Sequence, residues 1–281
     1  MRQVMLSARS RLRLLIYGKP GSGKTTFAGS AAKDERTAPV LWIDAGGNPI
    51  VLTRIGLTVD DPRIKVLAID KLSELADIYK WFKANQPAND IVALENGLKP
   101  PYKTLVFDGI THLQRLSFDA IMNTGDLAPG LVPPKPEWGH YRSVLGQMIG
   151  IASKYYTLPI HVIVTALEHP EQRFLVPGES STQYIFREPL LAGQSVDEFP
   201  GWALNVGRMA LTSTYEDKVI KANKADDSFS LLQFKATRYV DAKDQHNFGP
   251  FHADPTVKKL LDIMDEKAPP LAPIRQPAPH K

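Results

Sequence analysis

The densest chemical signal lies in "GKPGSGKT", Gly18 to Thr25, which follows the spacing G-x-x-x-x-G-K-[ST]. Gly18, Gly21 and Gly23 allow a turn whose backbone N–H groups point inward at phosphate oxygens. Lys19, Pro20, Ser22 and Thr26 complete the cradle. Lys24 would reach the β- and γ-phosphates, and Thr25 would present its hydroxyl to Mg²⁺. Such a loop needs a carboxylate to share the metal. "TLVFDG" supplies Asp108 at the end of an apolar run, where it would hold Mg²⁺ through a water. The chemistry within reach is binding, and hydrolysis or transfer, of a nucleotide's terminal phosphate, with ATP and Mg²⁺ as the expected pair. The residue after Asp108 is Gly109 rather than a glutamate. A base that activates water must therefore sit elsewhere or be absent.

These residues have to be held by particular elements. The run 12–17 reads as a buried strand feeding the loop, and 25–33 as a helix leaving it. Further strands are expected at 39–44, 65–69, 103–109 and 159–167. Between them, "DKLSELADIYKWFKAN" has helical spacing with Ser73 or Asp70 as its cap, and 112–122 and 141–155 also read as helices. Strands alternating with helices predict an α/β fold with a mostly parallel central sheet covered on both faces. Beyond Leu167 the pattern changes: "WALNVGRMAL" and "SLLQFKATRYV" read as shorter, antiparallel strands.

Bulk properties narrow the classes. No apolar run approaches the roughly 20 residues that span a bilayer. With no cysteine, disulfides, thiolate catalysis and cysteine-held metals are excluded. That suits a reducing compartment, and a cytoplasmic location is expected. The net charge of +4 permits contact with nucleic acid without arguing for it. Three regions follow: a basic arm over 1–10, a core over 11–264, and a Pro-rich tail over 265–281, expected to be disordered and open to a protein partner.

The array "LRLLIYGKPGSGKTTFAGSA", "VLWIDAGGNP", "KTLVFDGITHL", "EWGHYRSVLGQMI", "HVIVTALEH" and "FKATRY" resembles the RecA-like P-loop ATP-binding proteins of bacteriophages. That group includes compact recombinases and single-strand annealing proteins built from a RecA core alone, and the likeness runs over residues 10–262. It implies an ATPase working as a homo-oligomer with nucleotide at subunit interfaces, in a host cell's cytoplasm. It places the catalytic glutamate at Gly46, in Asp44-Ala45-Gly46-Gly47, so either Asp44 takes over as base or another acid moves into reach. Nucleotide binding is thereby firmer than hydrolysis. Thr165, with Glu168 and His169 beyond it, falls where the family senses the γ-phosphate. Lys235 and Arg238 fall where basic residues enter the neighbouring subunit's nucleotide; they could equally alternate outward on an edge strand.

Two loops, 123–140 and 168–200, correspond to those that bind single-stranded DNA in the resembling recombinases. The first offers Lys135 and Trp138, and the second Arg173, Phe174, Tyr184, Phe186 and Arg187. Cations interleaved with aromatics suit a backbone track with base stacking. Acids in both loops (Asp126, Glu137, Glu171, Glu179, Glu188) dilute the signal, and Trp138 could instead belong to the core.

Overall fold

The computed structural model describes residues 11–46, 49–58, 60–84, 102–125, 127, 131–169, 172–175, 183–212, 214–215, 218–219 and 229–266. The basic arm and the tail beyond Glu266 lie outside them. In chain order the elements are β1 (Arg13–Gly18), α1 (Lys24–Gly29), β2 (Val40–Asp44), α2 (Val51–Arg54), β3 (Ile64–Ala68), α3 (Leu72–Ala84) and β4 (Thr104–Asp108). Next come α4 (Ile110–Met122), α5 (Trp138–Tyr155), β5 (His161–Leu167), β6 (Gln172–Leu175), β7 (Gln183–Phe186), α6 (Ser195–Trp202) and β8 (Asn205–Thr212). The chain closes with β9 (Thr214–Tyr215), β10 (Lys218–Val219), β11 (Phe229–Gln233), β12 (Lys243–Asp244), β13 (Phe251–Ala253) and α7 (Val257–Met264).

One sheet organises the described residues, in the order β13-β11-β8-β1-β5-β4-β2-β3, with β12 pairing on β8. The segment from β8 to β3 is parallel throughout, whereas β11, β12 and β13 are antiparallel. Alternation along β1 shows how the layers form. Leu15 and Tyr17 face one core with Phe107, Val164 and helices α3 to α6, while Leu14 and Ile16 face a second core with Phe27, Trp42, Ile163 and α7. Strands buried on both faces read as continuous apolar runs, which is why "RLLIYG" and "VLWID" stand out in the sequence.

Several expectations need correction. The first helix is shorter than 25–33, because α1 tightens into a 3-10 turn at Ser30–Lys33. At the start of α3 the cap is Glu74, whose Oε2 accepts the N–H groups of Asp70 and Lys71 at 2.9 Å each. "WALNVGRMAL" contributes β8, which is parallel to β1 and antiparallel only to β11 and β12. The tail does not begin at 265. Asp265 closes α7 through its backbone and accepts a 2.8 Å bond from Arg36, whose guanidinium also holds Asp34 and Asp262.

Candidate functional site

β1 delivers the loop to the C-terminal edge of the sheet, the side on which open α/β sheets take their ligands. Two glycines are dictated by the geometry. Gly23 has φ +96°, a left-handed backbone that L side chains rarely adopt. Gly18 lies against β8 so closely that a Cβ would stand 2.2 Å from the Met209 carbonyl oxygen. The loop then enters α1 at Lys24, which is buried.

Lys24 Nζ donates to the carbonyls of Gly18 (2.8 Å) and Lys19 (2.9 Å), which folds the ammonium back over its own loop. Burial pushes it down to about 8, opposed by the nearby charges of Asp108 and Glu168. Thr25 Oγ1 donates to Asp108 Oδ2 at 3.0 Å. A hydroxyl and a carboxylate oxygen side by side are hard oxygen donors of the kind Mg²⁺ takes, so this pair fits the metal. Burial pushes the Asp108 carboxyl up, and Asp44 adds to this; bonds from Thr165 and Thr25 and the charge of Lys24 pull the other way. A dication at this place would favour the ionised form.

Thr165, near the end of β5, is bonded to the Asp108 segment. Its hydroxyl donates to Asp108 Oδ1 (2.5 Å) and accepts the Gly109 N–H (2.9 Å). Thr165 thereby helps to hold Asp108 at the end of β4. Asp44, buried at the end of β2, is the register partner of Asp108, and its Oδ1 accepts the Gly46 N–H at 3.0 Å.

Glu168 begins where β5 ends. Its N–H donates to Gly18 O (3.1 Å), and its carboxylate, 0% exposed, is held by Arg187 and Arg208 at 2.8 Å each. Arg187 therefore belongs to a buried clamp beside the phosphate loop, and this removes it from the set of DNA-facing cations. Replacing Glu168 by Gln should lower the denaturation midpoint, because breaking a buried pair from one side costs roughly 3–5 kcal/mol. Arg187 and Arg208 would then lose the Glu168 charge that lies between them. An unchanged midpoint in urea would mean that the clamp does not form in solution.

The stretch 168–200 is not a plain loop. β6 and β7 pair antiparallel within it, and α6 follows. The side chains of Arg173, Phe174 and Tyr184 lie outside the described set. Trp138 is not core: it is 83% exposed at the first position of α5, near exposed Leu131, Val132 and Tyr141. Lys235 and Arg238 are exposed, but on no edge strand, since β11 ends at Gln233 and is flanked by β13. Their segment is tied by backbone bonds to the clamp: Arg187 N–H donates to Tyr239 O, and Asp241 N–H to Arg187 O.

Two residues of the site escaped the sequence reading. Arg208 is a lone cation inside an apolar strand, a pattern that could have flagged it. His112 stands four residues after Asp108 in the first turn of α4. Only the contacts around it give it meaning.

A buried strand, a glycine-shaped loop closing on Lys24 and Thr25, and Asp108 beside that threonine, all at the C-terminal edge of a mostly parallel sheet, are the parts of a P-loop nucleotide-binding site. The chain belongs to the AAA_24 family, described as an AAA domain, whose profile matches residues 10–246. Membership implies a nucleotide and, as a rule, Mg²⁺. No curated protein matches the chain. Among solved structures it is similar to the RadB recombinase, at 17% identity over 80% of this chain and 81% of that one, with a TM-score of 0.39. It is also similar to a DnaB-like replicative helicase, described with its interactions with primase. There the identity is 13% and the TM-score 0.42, over 85% of this chain and 53% of the helicase. Among the described residues, no helix is long and apolar enough to cross a membrane.

Proposed function

We propose that this chain is a phage-type, RecA-like ATP-binding protein that acts on single-stranded DNA in recombination or annealing and hydrolyses ATP weakly. The observation that carries the nucleotide part is the Lys24–Thr25–Asp108 constellation at the sheet edge. Lys24 binds the terminal phosphates, Thr25 and Asp108 hold Mg²⁺, and the loop backbone from Gly18 to Thr26 cradles the remainder. Lys235 and Arg238, exposed on one segment, serve a neighbouring copy's nucleotide within a homo-oligomer. A cation supplied in trans stabilises charge developing on the transferred phosphoryl group.

The DNA part rests on the exposed segment before α5, which carries Leu131, Val132, Lys135 and, at the start of the helix, Trp138. An unpacked indole offers a stacking platform to any base, and the lysine tracks the backbone. Binding to an oligothymidylate, followed by fluorescence anisotropy with MgATP present, should weaken steeply with salt. Trp138→Ala should cost about 1–3 kcal/mol, the usual value of one base–aromatic stack. Lys135→Ala should reduce the slope of log K against log salt by about 0.7, the share of one single-strand phosphate contact. A second reading, an ATP-bound switch with little hydrolysis and no direct DNA contact, is favoured by Gly46 and by the engagement of Arg187 with Glu168. Absence of DNA binding at low salt would decide for the switch.

A further inference from the structure

Two helices of this protein carry a histidine at the third position of their first turn, and the two are used differently. In α5, His140 Nδ1 accepts the N–H of Glu137, the residue before the helix, at 2.9 Å. In α4 the equivalent N–H belongs to Gly109, and it goes to Thr165 Oγ1. His112 is thereby left with a buried Nδ1 that has no hydrogen-bond partner among the described residues. A buried polar atom without a partner costs about 1–3 kcal/mol and calls for an explanation.

The surroundings supply one. A Cβ built on Gly46 would lie 3.8 Å from His112 Nδ1 and 3.6 Å from Asp44 Oδ1. His112 therefore stands in a nook at the ends of β2 and β4, beside the strand that carries Asp108. Among the carboxylates here, Glu168 has both oxygens held and Asp44 one. Glu168 is neutralised by two guanidiniums, and Asp44 Oδ1 takes the Gly46 N–H. We infer that His112 is a catalytic residue for ATP hydrolysis, its Nδ1 orienting the attacking water and accepting its proton.

The inference rests on the nucleotide reading above. In the step, the water oxygen bonds to the terminal phosphorus as the bond from that phosphorus to the bridging oxygen breaks. The bridging oxygen's electron pair leaves with ADP. The water's proton passes to His112 Nδ1 and then to solvent. A positioned base of this kind contributes about 10²–10⁴-fold.

The test compares parent, His112→Ala and His112→Asn in MgADP binding, MgADP–fluoroaluminate binding and turnover. In addition, ¹⁵N-imidazole NMR of the parent is recorded with and without MgADP–fluoroaluminate. Asn retains an acceptor near Nδ1 but takes no proton. Both variants should bind MgADP like the parent and lose about 10²-fold or more in turnover. Only His112→Ala should also bind fluoroaluminate more weakly, and the His112 nitrogen signals should shift when the analogue is added. Gly46→Glu placed on His112→Ala should restore turnover. Unchanged turnover in both variants, no measurable turnover in the parent, or unmoved nitrogen signals would each overturn the role of His112 while leaving the nucleotide reading intact. Failure of the parent to bind MgADP at all would overturn both.

Discussion

Lys24→Ala should weaken nucleotide binding by about 10²–10⁴-fold, since two charge-assisted hydrogen bonds to phosphate are each worth about 1.5–3 kcal/mol. The fold should survive. Lys24 is buried, yet neither carbonyl it now engages depends on it: Gly18 O also accepts from Glu168 N–H, and Lys19 O from Ser22 N–H. Removing the side chain also removes a desolvated cation, which burial already pushes down to about 8. Titration calorimetry with a non-hydrolysable MgATP analogue reads the affinity, and thermal melting without nucleotide reads the fold. Binding as tight as the parent's, in a variant that melts at the parent's temperature, would remove Lys24 from the phosphate site.

The parts of this site that could be read from the chain are those fixed by local rules. β1, β2, β4 and β5 are buried on both faces, so each is a short apolar run, and each ends on or just before a glycine, aspartate or glutamate at the sheet edge. The phosphate loop is a contiguous motif, and Asp108 falls at the end of a strand by its pattern alone. What escaped depends on contacts between segments far apart in the chain. Whether β8 runs parallel or antiparallel depends on its lying beside β1, which its own residues do not encode. Arg187 looks like any loop cation until Glu168, 19 residues earlier, is seen against it. The hairpin of β6 and β7 hid because each strand is only four residues long and shows no polar–apolar alternation, with Pro177 and Gly178 between them in the sequence. His112 was missed for the same reason: the N–H that would have satisfied it is taken by Thr165, 56 residues from Gly109.

In the His112→Ala background, Gly46→Glu should raise ATP turnover by about 10²–10⁴-fold, the usual contribution of a positioned base, while leaving nucleotide affinity close to that of His112→Ala. The backbone permits the change. Gly46 is absent from the positive-φ glycines, and the nearest atom to a new Cβ is Asp44 Oδ1 at 3.6 Å, an ordinary contact. The side chain would start between Asp44 and His112, at the end of the strand that neighbours Asp108. Asp44 so close by raises the proton affinity of an added carboxylate, which makes it a better base near neutral pH. Gly46→Ala in the same background is the control, since it fills the same space without a base and should turn over ATP no faster than His112→Ala alone. Without His112, Lys24 and the metal pair Thr25–Asp108 still position and neutralise the phosphates, so a low residual rate is expected. A brisk parent enzyme, with Gly46→Glu no faster and Asp44→Asn inactive, would instead make Asp44 the base. The bond from Gly46 N–H to Asp44 Oδ1 would then be the contact that orients it.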